Sequence, residues 1–222
     1  PHPRNQYAAF VSTTDELIGR AVDHLENEGL RNDTIIIFQS DHGHSVEDRT
    51  FGGGGSSGPY RGHKGNLFEG GIRVPSVVSW PKGIVQGEIR EQFVAGTDWF
   101  PTLADWTGTK FSKKHKLDGK SIAQVVENAK VPSPHKNYYW QLGKQNGQWV
   151  MREGDWKLYA NARESVRPDG ISKLNKGDQK QFLVNLSKDP GEKRNWATSH
   201  PDELKHLNEL AKKYQANLVG SN

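Results

Sequence analysis

The chain has 222 residues and a formal net charge of +4, with its 30 Lys and Arg scattered among 26 Asp and Glu, so nucleic-acid binding has little support. A hydrophobic content of 33% and a mean hydropathy of −0.83 leave no run near the roughly 18 apolar residues that a membrane helix needs. A chain of this length can bury about 70% of its unfolded surface, and without cysteine it does so without disulfides.

Ser12-Thr13-Thr14 reads as the start of a helix that carries Leu17, Ile18, Ala21, Val22 and Leu25 on one side and stops at Gly29. Thr34 to Phe38 is a short β-branched and aromatic run, the pattern of a parallel strand buried on both faces. Val74 to Trp80 and Phe93 to Gly96 read as further strands, and Trp99 to Thr107, with Pro101 in its first turn, as a helix. This alternation predicts α/β architecture over residues 1–130.

Past Val131-Pro132-Ser133-Pro134 the pattern shortens to Asn137 to Gln141, Gln148 to Glu153, Asp155 to Tyr159 and Gln181 to Asn185, separated by Gly-containing turns. That spacing predicts an antiparallel sheet. A last helix from near Pro201 sets Leu204, Leu207, Leu210, Ala211, Tyr214 and Leu218 along one stripe, so residues 131–222 read as a small sheet-plus-helix subdomain.

The chemistry-bearing residues gather in the first part. Asp41-His42-Gly43 follows the Thr34 to Phe38 strand, and open α/β sheets bind ligands beyond the carboxyl ends of their strands, so Asp41 and His42 are candidate metal ligands. Ser-Asp-His-Gly is equally ordinary turn chemistry. Gly52 to Gly58 lacks the Gly-Lys-Ser/Thr ending of a phosphate-binding loop and reads instead as a bendable loop beside the site. Asn32-Asp33-Thr34 and Asn185-Leu186-Ser187 are formal glycosylation sequons, a tripeptide that chance produces often.

Ser40-Asp41-His42-Gly43, Tyr60-Arg61-Gly62-His63-Lys64 and Phe68-Glu69-Gly70-Gly71-Ile72-Arg73-Val74-Pro75 occur in the order and rough spacing of the sulfatase family. Pro1-His2-Pro3, Ser79-Trp80-Pro81, Thr97 to Leu103, Leu117 to Ser121 and Asp189-Pro190-Gly191-Glu192 extend the likeness over nearly the whole chain. The chain resembles the carboxyl-terminal part of a formylglycine-dependent, arylsulfatase-like enzyme of the alkaline phosphatase superfamily.

The resemblance implies the end of an alkaline phosphatase-like sheet domain, followed by an antiparallel sheet with a packed helix. It implies a sulfuric ester hydrolase acting on sulfate monoesters, with carbohydrate sulfates as natural substrates and aryl sulfates as surrogates. Asp41 and His42 would hold a divalent metal, calcium in most of the family, where the position of His42 is often Asn. Lys64 would contact a sulfate oxygen, His2 would face the sulfate and protonate the leaving oxygen, and His63 and Arg61 would help bind substrate.

The family carries its nucleophile motif, Cys-or-Ser-x-Pro/Ala-x-Arg, well upstream of these segments; this chain has no Cys, and no such motif precedes Ser40. The resemblance therefore implies a partner in an amino-terminal half of the same protein that carries formylglycine, and a chain that is catalytically incomplete alone. Membership would also imply a periplasmic or secreted protein. Two other readings stand beside it: a phosphomonoester or phosphodiester hydrolase of the same superfamily, which needs a Ser or Thr nucleophile, and a noncatalytic fragment that binds sulfated glycans.

Overall fold

The computed structural model describes residues 3–47, 50, 53–112, 114, 116–143, 147–162 and 174–219. In chain order these form α1 (Pro3–Asn27), β1 (Ile36–Gln39), α2 (Glu69–Ile72), β2 (Ser76–Ser79), α3 (Trp99–Thr107), α4 (Ala123–Glu127), β3 (Asn137–Leu142), β4 (Gln148–Glu153), β5 (Trp156–Ala160), β6 (Gln181–Asn185) and α5 (Pro201–Val219). Strands β1 and β2 pair with each other, and β3 to β6 form a four-stranded sheet in sequence order. Among the described residues no helix is long and apolar enough to cross a membrane.

Helix α1 starts at Pro3 rather than after Thr14. The hydroxyls of Thr13 and Thr14 do not cap it; they donate to the carbonyls of Ala9 and Phe10, four residues back, as hydroxyls do inside a helix. Its end follows the sequence reading. Gly29 takes φ +69°, its N–H reaches Glu26 O at 3.0 Å, and Leu30 N–H reaches Leu25 O at 2.8 Å, the paired bonds of a glycine-terminated helix. The stripe is narrower than expected: Ile18, Val22 and Leu25 are half-buried, whereas Leu17 and Ala21 are exposed.

Strand β1 is displaced by one residue from its expected end and is not buried on both faces, Phe38 being 45% exposed. The reason is pairing: among the described residues only β2 lies beside it. The strand expected at Phe93 to Gly96 is absent, because there the backbone is organised by a side chain instead of a ladder. The buried Asp98 carboxylate accepts the N–H groups of Ala95 and Lys120, each at 2.8 Å, and Gly96–Asp98 tightens into a 3₁₀ turn that leads into α3.

Contacts divide the chain into two units, one of Pro1–Asp23, Phe38–Val77 and Asn137–Asn222, the other of His24–Ile37 and Val78–Lys136. The smaller unit is organised around Asp98, whose two carboxylate oxygens also lie 2.8 and 2.9 Å from His135 Nε2. Thr102 Oγ1, one turn into α3, donates to Asp98 O at 2.6 Å and accepts Ile122 N–H at 2.9 Å, so one acidic residue ties α3 to the start of α4 and to the 131–136 segment.

In the larger unit, alternation along the antiparallel sheet makes two apolar faces. Met151, Leu158 and Leu183 lie side by side in register and pack on Leu207 and Ala211 of α5. Tyr214 stacks on Tyr139 at 5.7 Å, and Leu218, the last of the expected stripe, is 53% exposed. On the opposite face Val150, Tyr159 and Phe182 are in register and bury Leu67 and Phe68, with the Phe68 and Tyr159 rings stacked 4.7 Å apart. Burying a phenylalanine fully is worth about 1.5–3 kcal/mol, so Phe68 is a firm anchor for the segment around it. Asn185 of the second sequon is also buried, its amide oxygen accepting Ser187 Oγ at 2.8 Å.

Beside Phe68 the same face holds charge. Lys157 Nζ, fully buried, lies 2.6 Å from Glu69 Oε1 and 3.3 Å from Glu192 Oε1. Glu192 Oε2 accepts the N–H of Glu69 at 2.7 Å, its Oε1 accepts the Tyr159 hydroxyl, and its carbonyl accepts Arg61 Nη1 at 2.8 Å. Burial alone would raise the Glu69 carboxyl, but the charge and hydrogen bond of Lys157, helped by Arg152 and Arg73, hold it below the ordinary value. Glu192 lies above its ordinary value, because burial and the neighbouring Glu69 charge outweigh the more distant Lys157. Tyr159 is pushed well up by burial and then by both carboxylates, so its hydroxyl stays a donor.

Removing one partner of a buried ion pair leaves a bare charge, a loss of about 3–5 kcal/mol. Lys157→Met is therefore expected to cost that much in urea unfolding at pH 7. Since Glu69 titrates lower in the folded state than unfolded, the pair's contribution is present above the ordinary carboxylate range and fades as pH falls through the lowered value. The cost should shrink below about pH 4; a pH-independent cost would contradict the ion pair. Asp98→Ala leaves two partly buried N–H groups and the buried His135 without their acceptor, and a loss of about 2 kcal/mol is expected in the same assay.

Candidate functional site

The residues singled out in the sequence lie on three segments, 40–47, 60–64 and 68–75, all in the larger unit. Their approach depends on the absence of side chains at the crossings. A Cβ on Gly43 would stand 1.9 Å from Gly70 O, one on Gly70 would stand 2.4 Å from Gly62 O, and one on Gly71 would stand 2.2 Å from Asn66 O. Only glycine permits such contact, so the glycines of the three motifs are explained by one another. Backbone hydrogen bonds then fix the stack: Gly43 N–H to Gly71 O at 2.9 Å, Gly70 N–H to Arg61 O at 2.6 Å, and Lys64 N–H to His44 O at 3.0 Å.

Upon this stack Asp41 and His42 project together. His42 Nε2 lies 2.9 Å from Asp41 Oδ2, with the Asp41 side chain 80% exposed. His42 Nδ1 is 2.9 Å from Gly43 O, which can only accept, so a proton sits on Nδ1, and Nε2 faces the carboxylate either as a donor or with its lone pair. Two lone-pair donors at that distance repel unless a proton or a cation is shared. Adjacent ligands around a divalent ion at bond lengths of roughly 2.0–2.5 Å stand about 3 Å apart, so the pair fits two neighbouring coordination positions. The imidazole is a softer donor than the oxygens calcium prefers. Among the described residues no third His, Cys, Asp or Glu joins them, so the pair makes part of a coordination shell.

Lys64, held to His44 through the backbone, directs its Nζ to Glu47 Oε1 at 3.0 Å, with its side chain 27% exposed. An anion binding there would compete with Glu47. His63 is buried, its N–H meeting Asn66 Oδ1 at 3.3 Å and its Nδ1 lying 2.8 Å from Lys64 O, and its ring meets His44 edge-on. Arg61 was expected near substrate; it is 6% exposed and packs its guanidinium over Phe68, 4.9 Å from the ring centroid, besides binding Glu192 O. These contacts give it a supporting place beneath the motif. His2 and Arg49 lie outside the described residues, as does Gly52.

The glycine-rich loop was expected to supply flexibility, and two of its glycines instead allow close packing. A Cβ on Gly53 would meet Ser45 O at 1.9 Å, and one on Gly55 would meet His44 Cβ at 2.5 Å. Lys157, Tyr159 and Glu192, which carry the motif from below, were not singled out as functional in the sequence. The available signal was Asp189-Pro190-Gly191-Glu192, a turn whose Asp189 Oδ2 accepts the N–H groups of Lys193 and Arg194, at 2.7 and 2.8 Å.

Residues 2–109 match the sequence model of the sulfatase family, and residues 62–218 match that of the N-sulphoglucosamine sulphohydrolase C-terminal region. The chain is 30% identical over 212 residues to the steryl-sulfatase of Mus musculus, an alignment covering 86% of this chain and 34% of that protein. To a sulfatase of Formosa agariphila it is 31% identical over 214 residues, covering 91% of this chain and 37% of the relative. It thus spans about a third of the length of these relatives.

Among solved structures, Ps i-CgsB in complex with k-i-k-neocarrahexaose aligns with a TM-score of 0.80 at 26% identity, over 97% of this chain and 44% of that one. A protein of a glycosaminoglycan-metabolism locus of Bacteroides thetaiotaomicron aligns with a TM-score of 0.72 at 26% identity, over 91% and 43%. The phosphonate monoester hydrolase of Agrobacterium radiobacter, at 23% identity and a TM-score of 0.57, shares the fold alone. Both halves of the sequence fall under sulfatase sequence models, and the chain belongs to the sulfatase family, as a carboxyl-terminal portion of the alkaline phosphatase-like fold.

Proposed function

We propose that this chain supplies the carboxyl-terminal side of the active site of an enzyme that hydrolyses sulfate monoesters. The observation that carries the reading is the glycine-stitched stack, which brings the Asp41–His42 donor pair and Lys64 onto one set of neighbouring backbone segments, within motifs of the sulfatase family.

In this reading Asp41 and His42 hold a divalent cation together with ligands from an amino-terminal portion of the protein, which also carries formylglycine. Such a cation, when bound, neutralises negative charge on the sulfate oxygens. Calcium is the family's usual metal; the nitrogen donor of His42 also suits manganese. Lys64 leaves Glu47 for a sulfate oxygen and stabilises the charge that grows there in the transition state. His2 protonates the leaving alcohol, work suited to an imidazole near neutral pH. His63 braces the backbone at Lys64 and borders the substrate, and Arg61 supports the same segment from the core. Residues 1–130 contribute to the sheet domain and 131–222 form the subdomain that follows it in the chain. Sulfated carbohydrates are the proposed substrates, in keeping with the oligosaccharide bound to Ps i-CgsB and the glycosaminoglycan context of the Bacteroides relative.

Sulfate release by the full-length enzyme from an aryl sulfate and from sulfated oligosaccharides, set beside phosphate release from an aryl phosphate, tests the reaction class; faster phosphate release would overturn it. Asp41→Ala is expected to abolish metal-dependent turnover and lower bound metal, and unchanged metal content would remove Asp41 from the shell. Loss of a preorganised charge-stabilising donor raises a barrier by about 2.7–4 kcal/mol, so Lys64→Ala should slow turnover roughly a hundredfold or more. A wild-type rate would refute its role.

A further inference from the structure

The buried charge cluster lies at the root of the stack that carries the site, and the steps between them are short. Lys157 on β5 grips Glu69 Oε1 at 2.6 Å, and Glu192 grips the Glu69 N–H at 2.7 Å, so both ends of the first residue of α2 are held from the sheet side. Glu192 O binds Arg61 Nη1, and Arg61 O receives Gly70 N–H at 2.6 Å. From there Gly71 O receives Gly43 N–H, beside Asp41 and His42, and His44 O receives Lys64 N–H. Each glycine crossing is too tight to shift independently, since an added Cβ would stand 1.9–2.4 Å from the opposing carbonyl oxygen.

Glu192 itself has a left-handed backbone, φ +52°, a conformation that is strained for a residue with a side chain and easy for glycine. The residue is nonetheless a fully buried glutamate with every carboxylate oxygen engaged by Lys157, Tyr159 or the Glu69 N–H. Strain retained for one side chain indicates that the side chain sets something exactingly placed.

We infer that Lys157 and Glu192 are positioning residues for Asp41, His42 and Lys64: through Glu69 and the glycine crossings, the antiparallel sheet fixes the spacing between the metal-binding pair and the sulfate-binding lysine. The inference rests on the site reading proposed above. Neither residue touches substrate; the buried cluster acts on the path of the backbone.

The test separates position from stability. In the full-length enzyme, Lys157→Met combined with Glu69→Gln and Glu192→Gln removes all three charges of the cluster, so no bare charge is left in the core and the melting temperature should stay within about 4 °C of wild type. Supports that orient metal ligands typically account for about 10- to 100-fold in metal affinity or activity. The triple variant is therefore expected to lose about that much in calcium half-saturation, read by competition with a chelating dye, and in kcat on an aryl sulfate. The affinity for inorganic sulfate, read by calorimetry, should fall with them. Near-wild-type melting with unchanged calcium affinity, sulfate affinity and kcat would overturn the inference. Should the triple variant not fold, Lys157→Arg keeps the charge but widens its head group. A folded Lys157→Arg enzyme with wild-type kcat and calcium affinity would count against it, and reduced values would support it. Asp41→Ala and Lys64→Ala, measured alongside, report on the site reading: if they leave calcium and sulfate affinity unchanged, that reading fails and the positioning role falls with it.

Discussion

The contact on which the larger unit depends is the buried bond between Lys157 and Glu69, at 2.6 Å, with Glu192 completing the cluster. An ammonium group in an apolar interior is tolerated only where its charge and its hydrogen bonds are answered. Here the answer comes from residues 88 and 35 positions away in the chain, so satisfying Lys157 fixes where two distant segments lie on the sheet. Phe68, stacked on Tyr159 beside the cluster, adds the apolar area that keeps water out.

What the cluster fixes, the glycines transmit. Gly43, Gly70 and Gly71 let neighbouring backbone segments touch without intervening side chains, and the close approach turns a flexible residue type into a rigid joint. A loop built this way can present Asp41 and His42 toward solvent and still hold them in place, which is what a group exposed to a ligand requires. The same economy is visible in the smaller unit, where the carboxylate of Asp98 takes the place of a strand ladder in ordering Ala95, Lys120 and His135.

Local signals located most of the elements. Helix α3 and strands β4 and β6 follow their expected bounds, since short apolar runs and a glycine with φ +66° at position 108 act over a few residues. The start of α1 was misplaced because Thr13 and Thr14 serve equally as caps and as helix-interior residues bonding back to carbonyls, and only the preceding backbone tells which. The apolar run at Phe93 to Gly96 has strand composition, yet pairing is not local. Helices α2 and α4, of four and five residues, are too short to show a period.

For the site, residue type and spacing nominated Asp41, His42 and Lys64 as candidates and related the chain to sulfatases. Those properties live in short motifs, and motifs are visible in one dimension. The sequence also determined the patterned faces of β3 to β6 and the stripe of α5, because burial imposes periods of its own. Which charge answers which was decided by tertiary structure: that Arg61 turns into the core, that Lys64 meets Glu47, and that Lys157 joins Glu69 to Glu192. Electrostatic pairing depends on distance in space, and distance in space between residues far apart in the chain exists only once the chain has folded.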